Sequence, residues 1–274
     1  VSVSSGATFL VSNAETIGRL TGAGAVNLAN GALTLSNSSG TYSGAMSGTG
    51  GLVLSAGSLT LGGALTNGGG LVLNGTTTAN LLSAGSITVA GNAVTMNGMS
   101  NSFTNSGSVS SSGGIGVTAS GSLTLTNAGS IDAASGTGLD LSGATNVVSN
   151  QSGATINGTH GINLGAGATG TLVTNNGTIT GATQAILAGA STGIAVVNSG
   201  VTHGEDNALV AFGGPVSVMN LAGGQMTSAR FSAIFSSGAA TSVTNAGLIS
   251  SSFGVFLTGG GGSITNQSGG VISG

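Results

Sequence analysis

The chain has 274 residues, of which 55 are Gly, one is Pro and none is Cys or Trp; two are cationic and five anionic. Average globular usage is about 25% charged and about 7% Gly, so this composition excludes whole classes. Two Arg supply no phosphate-neutralising footprint for nucleic acid, a chain without Cys forms no disulfide scaffold or thiolate metal site, and collagen needs far more Pro. A hydrophobic share of 39% and a mean hydropathy of +0.46 argue against charge-driven disorder. No run reaches the roughly 18 apolar residues of a membrane helix, and 3% aromatic residues are too few for the girdles of a membrane barrel. The start, VSVSSGATFLVSN, lacks the cationic-then-apolar order of a signal peptide.

Residues 1–100 carry short Leu-x-Leu strands bounded by Gly: Leu33-Leu35, Leu52-Leu54, Leu59-Leu61 and Leu71-Leu73. Residues 101–274 change rhythm. An Asn-x-Gly or Asn-x-x-Gly corner recurs at Asn105, Asn127, Asn150, Asn175, Asn198, Asn220, Asn245 and Asn266, with spacings of 21 to 25 residues and a mean of 23. A second register puts a small residue before an aliphatic one at Gly114-Ile115, Gly138-Leu139, Gly161-Ile162, Ala185-Ile186, Ala208-Leu209, Ala233-Ile234 and Gly254-Val255. Between the two lies a third aliphatic: Val109, Ile131, Ile156, Ile179, Val201, Met226 and Ile249.

Three registers holding phase predict three short strands per unit, too short and too rich in Gly and Thr for helices. A meander of hairpins gives no reason for a phase-locked period. A coil does: each period makes one turn, every strand pairs in parallel with its equivalent one turn on, and inward aliphatics stack. The expectation is an all-β, right-handed parallel β-helix of about 23 residues per turn and roughly 12 turns, one continuous solenoid. Gly supplies positive φ at the corners, and the recurring Asn predicts an amide ladder along them.

The segment from Gly22 to Gly75 resembles the autotransporter-associated β-strand repeat of Gram-negative type V secreted proteins. The residues that carry the resemblance are Leu33-Thr34-Leu35, Thr41-Tyr42-Ser43-Gly44, Gly48-Thr49-Gly50-Gly51-Leu52 and Gly57-Ser58-Leu59-Thr60-Leu61. It implies a passenger domain, exported through its own C-terminal outer-membrane barrel, which lies outside this sequence. It further implies a place at the cell surface or outside the cell, and partners that are host-cell or neighbouring-cell surface molecules, or further copies of the chain. The stretch ITNQSGGVISG stops inside a repeat, which leads to the expectation of a passenger piece prone to self-association.

Candidate chemistry is sparse. Asp132 and Asp140 are separated by a Gly-rich corner with no cation near in sequence, and read as solvated corner residues. His203-Gly204-Glu205-Asp206-Asn207 is the densest polar cluster; if extended, His203 and Glu205 share a face and Asp206 takes the other. It lacks a third convergent group for a metal or a general base, so it reads as an exposed corner, while His160 aligns with Gln184 and Asn207. Gly259 to Gly262 read as a loop. Arg230 sits in SARFSAIF with Phe231 and Phe235, near Phe212, Phe253 and Phe256, and these rings read as stacked core. No catalytic residue, metal or cofactor is expected. The functional expectation is a structural or adhesive solenoid. Two alternatives stay open: a polysaccharide-acting β-helix enzyme, which requires converging carboxylates, and an ice-binding β-helix, which requires a flat, unbroken Thr array.

Overall fold

A computed structural model describes residues 1–189, 193–238 and 240–274. Every element is a β-strand, and the chain is a parallel β-solenoid of about 12 turns, with successive turns about 23 residues apart. The chain forms two compact units. The N-terminal unit is Val1–Leu125 with Gly129–Gly136, and the C-terminal unit is Thr126–Ala128 with Thr137–Gly274.

Among the described residues the strands fall into two parallel sheets, the first with one strand in each turn and the second with the others. In the N-terminal unit Leu33–Leu35, Leu52–Leu54 and Leu71–Leu73 are strands of the second sheet, while Leu59 and Leu61 lie in a first-sheet strand, Gly57–Leu61; in all four runs the Leu side chains are buried. Leu33, Leu52 and Leu71 pair in register, as do Leu35, Leu54 and Leu73, and all six are buried. These turns close in 19 residues. Beyond Leu71 the interval lengthens, Leu71 pairing with Val94 and Val94 with Val117. The expected aliphatic at Ile115 is therefore displaced: Val117 is the buried member and Ile115 sits ahead of its strand, half-buried. In the corner ahead of that strand, a Cβ at Gly114 would overlap the backbone of Gly91 and Asn92.

Tyr42 is the widest side chain of this core. It is fully buried, and its hydroxyl donates to the Gly24 carbonyl at 2.5 Å, with the Ala45 carbonyl at 3.3 Å. Its cross-turn partner on one side is Gly22, with φ of 110°. Across the corner is Gly44, where a Cβ would collide with the Gly24 carbonyl oxygen and the phenol. The ring fits because Gly44 lacks a side chain; at Gly22 a Cβ would meet the Val3 backbone instead. Burial pushes its pKa up to about 12.

In the C-terminal unit, three columns of branched aliphatics line the interior, the β-branched side chains that pack best on a pleated surface. Val148, Val173, Val196, Val218 and Val243 stack on the first sheet. On the second sheet one column runs Leu139, Ile162, Ile186, Leu209, Ile234 and Val255, as the spacing predicts. The other column departs from expectation at one rung. Ile179 pairs with Thr202, and Thr202 with Met226, so Val201 faces the half-exposed side and a fully buried hydroxyl stands in an aliphatic stack.

Candidate functional site

The Asn corners form a buried amide ladder. In the C-terminal unit each Asn Nδ2 donates to the Oδ1 of the next: Asn127 to Asn150 at 2.9 Å, Asn150 to Asn175 at 2.8 Å, Asn175 to Asn198 at 2.9 Å, Asn198 to Asn220 at 2.8 Å, Asn220 to Asn245 at 2.8 Å and Asn245 to Asn266 at 2.8 Å. The same Nδ2 atoms reach the first carbonyl of the strand that follows the next Asn, one turn on: Thr155, Thr178, Val201, Gln225, Leu248 and Val271 at 2.9–3.1 Å. Asn105, in the N-terminal unit, donates likewise to Ser130 at 2.9 Å and accepts from the Gly107 amide. All are buried except Asn266. The ladder explains Thr202: its hydroxyl donates to Asn198 Oδ1 at 3.0 Å and lies 3.2 Å from Asn175 Nδ2. A buried hydroxyl is tolerated where partners stand ready. The buried rungs, Asn105 to Asn245, present no open face to a ligand.

The ionisable groups are dispersed. Asp140 accepts a hydrogen bond from Asn163 Nδ2 at 2.7 Å, and Asp132 stands in an outward register beside Ser110. His160 pairs in register with Gln184, and Gln184 with Asn207, as the sequence suggests. Its Nδ1 lies 2.9 Å from Thr183 Oγ1. Its pKa is lowered, chiefly by burial, against opposing contributions from the Gln184 hydrogen bond and the Asp140 charge. His203 Nδ1 meets Thr227 Oγ1 at 2.9 Å. Among the described residues no three His, Asp or Glu side chains gather in a way that holds a metal ion.

The polar cluster around residue 205 differs from its extended reading. The backbone bends at Glu205 and Asp206, so both carboxylates turn to one cation. Arg230 Nε lies 3.4 Å from Glu205 Oε1, and Nη1 lies 3.5 Å from Asp206 Oδ1. Three amides of the following corner clamp it there: Ala229 and Arg230 donate to the Glu205 carbonyl, and Phe231 donates to that of Asp206. The partner was invisible in sequence because it lies a full turn away.

Next to this triplet is the feature that the sequence misplaces. Ile234 points into the core, so by alternation Phe235 points out. The outward register runs Leu187, Val210, Phe235 and Phe256. Phe212 meets Phe235 edge-on at 5.7 Å, and Phe235 stacks on Phe256 at 5.8 Å. Phe212, Phe231, Phe253 and Phe256 are 48%, 53%, 65% and 48% exposed. They are a surface, not core. With Leu187, Val210, Gln184, Asn207 and Ser232 they line a groove of about 520 Å³. Asn207, at its floor, donates to Ser232 Oγ at 3.2 Å. A second concavity of about 890 Å³ lies over the first sheet of the same unit; its walls are Gly, Ala, Ser and Thr, with Leu172, Ile194, Pro215 and Val216. It offers no ionisable group. No protein-family model, curated protein or solved structure matches the chain.

Proposed function

We propose that the chain is a non-catalytic passenger segment of a Gram-negative autotransporter, held at the cell surface as a structural and adhesive solenoid. The observation that carries this reading is the outward face. In the N-terminal unit one outward column runs Ser39, Ser58, Thr78 and Ser102, and its neighbour runs Thr41, Thr60, Asn80 and Thr104. Turn after turn the exposed registers offer uncharged hydroxyls and amides, which suits many weak, summed contacts. The carboxylates of the second unit support the same reading: Glu205 and Asp206 share Arg230 instead of facing one another across a cleft. Turn-by-turn templating suits emergence through a pore, since each turn needs only its neighbour.

The test is to display residues 1–274 on a heterologous outer-membrane barrel and measure cell settling and attachment. Faster settling than with an unrelated displayed solenoid is expected; equal settling, or unsaturated sugar released from polygalacturonate by the purified chain, overturns the reading. Ice binding keeps one specific observation in its favour: the two outward columns repeat at about 4.8 Å by about 6.7 Å, with Asn80 the one break in their hydroxyls. Thermal hysteresis abolished by Thr60→Lys would establish it in place of adhesion.

A further inference from the structure

We propose that the phenylalanine groove of the C-terminal unit is a recognition site for a short peptide segment that presents large apolar side chains beside a Lys or Arg. The proposal names a partner chemistry for the adhesive reading, and rests on it only in taking this face as a contact surface.

Three observations choose the occupant. The first is area. At about 200 Å² per Phe, the exposures of Phe212, Phe231, Phe253 and Phe256 leave about 400 Å² of aromatic surface open. A stable dimer covers about 800 Å² on each partner, so the patch is half of what a second copy needs. It matches a few residues of extended chain. The second is shape and lining. A volume of about 520 Å³ lies within the range of small-ligand clefts, which are mostly apolar with a few fixed polar groups; here those are Gln184, Asn207 and Ser232.

The third is charge. Glu205 and Asp206 share one guanidinium, so the rim keeps an uncompensated negative charge, on a chain whose net charge is −3. The corner that holds Arg230 continues directly into Phe231 and Ser232 of the groove wall. A cation entering here meets a carboxylate and aromatic faces together, and aromatic faces attract cations. An anion meets the opposite field. In this arrangement the apolar side chains of the segment fill the space between Phe231, Phe253 and Phe256, and its cation lies towards Glu205.

The test uses the whole chain and three probes: acetyl-Phe-Arg-Phe-Lys-amide, its anionic counterpart acetyl-Phe-Glu-Phe-Glu-amide, and acetyl-Ala-Arg-Ala-Lys-amide. Binding is read by calorimetry or by NMR line shifts at low salt. The first peptide is expected to bind and the other two to bind at least about tenfold more weakly. Phe231→Ser with Phe253→Ser lowers affinity about tenfold or more, and Met99→Ser, at a residue 87% exposed in the other unit, leaves it unchanged. Glu205→Gln lowers it about threefold and flattens its salt dependence; this arm stands if the Phe variant fails to fold.

Equal affinity for the cationic and anionic peptides overturns the proposal, as does no binding of the first peptide at about 5 mM. Tighter binding of xylohexaose, lost in the Phe variant, would assign the groove to a glycan. Self-association abolished by the Phe variant would assign it to a second copy. Peptide binding without any gain in cell settling would sink the adhesive role and leave the site standing; settling without peptide binding does the reverse.

Discussion

Tyr42 offers an unusually clean measurement. The chain contains no Lys, no Cys and one Tyr, so the phenol is its one side chain of a type whose ordinary pKa lies between about 9.5 and 12. In the fold it is fully buried and donates to the Gly24 carbonyl, and its pKa rises from 10.0 to about 12. The protonated form is the one the fold prefers. Its contribution to stability is therefore complete below pH 10, the unfolded value, and disappears as pH rises through 12. Across that window the unfolded chain has lost a proton that the folded chain retains, so stability falls by about 1.4 kcal/mol per pH unit, about 3 kcal/mol in all. Tyrosinate absorbance reads the group directly, which matters in a solenoid whose turns need not melt together. Titration of the native chain is expected to centre near pH 12, and titration in concentrated guanidinium near pH 10. Tyr42→Phe removes the alkaline slope and costs about 1–2 kcal/mol at neutral pH, because the Gly24 carbonyl loses its donor. A native midpoint below about pH 10.5, or the same alkaline slope in the Phe variant, would refute the reasoning.

Asn175→Asp replaces a donor facing Asn198 Oδ1 and the Val201 carbonyl with a second acceptor; a loss of about 4 kcal/mol that shrinks on acidification is expected in urea melts. Asn266→Asp, at the exposed last rung, changes stability by less than about 1 kcal/mol in the same melts. Thr202→Val is expected to be neutral within about 1 kcal/mol, since Asn198 Oδ1 keeps Asn175 Nδ2 and the methyl joins Ile179 and Met226. His160 has a lowered pKa in the fold, so its neutral form is favoured there: its share of stability is present above the unfolded value of 6.5 and is lost as pH falls towards the folded one. His160→Gln should flatten that part of the acid limb of a pH–stability curve.

Much of the architecture is legible because period and pairing are the same fact in a parallel coil. The aliphatics from Leu139 to Val255 pair at every step that their spacing implies. Two errors are local: spacing locates a rung only to within a residue or two, and a shift of one reverses the face. Val201 stands where an aliphatic is expected, yet Thr202 turns inward because the neighbouring amides can satisfy its hydroxyl. Ile115 gives way to Val117, two residues on and therefore on the same face. The Phe cluster fails differently. Phe235 and Ile234 are both large and apolar, and hydrophobicity alone cannot say which faces in. The column decides it, since Leu209 and Val255 flank Ile234 on the inner register. The Arg230 pairing needed contact between turns, which no local pattern encodes.

The amide ladder begins where Leu81 is succeeded by Asn105 in the same column, and that exchange bears on how the coil keeps its phase. A column of Val stacks as well on any other Val, so aliphatic burial scarcely penalises a turn that closes one rung out of place. The Asn column does: a misplaced turn buries an amide against aliphatics and orphans a corner carbonyl, at about 1–3 kcal/mol for each group. Replacing Asn150, Asn175 and Asn198 together by Leu separates these contributions. Burying three Leu side chains returns about 1.5–3 kcal/mol apiece, similar in size to what the lost amide bonds and the carbonyls of Thr178, Val201 and Gln225 cost. Overall melting should therefore move little, while hydrogen exchange at these corners should split into two populations of different register. Uniform, native-like protection in the triple variant would show that the aliphatic columns alone hold the phase.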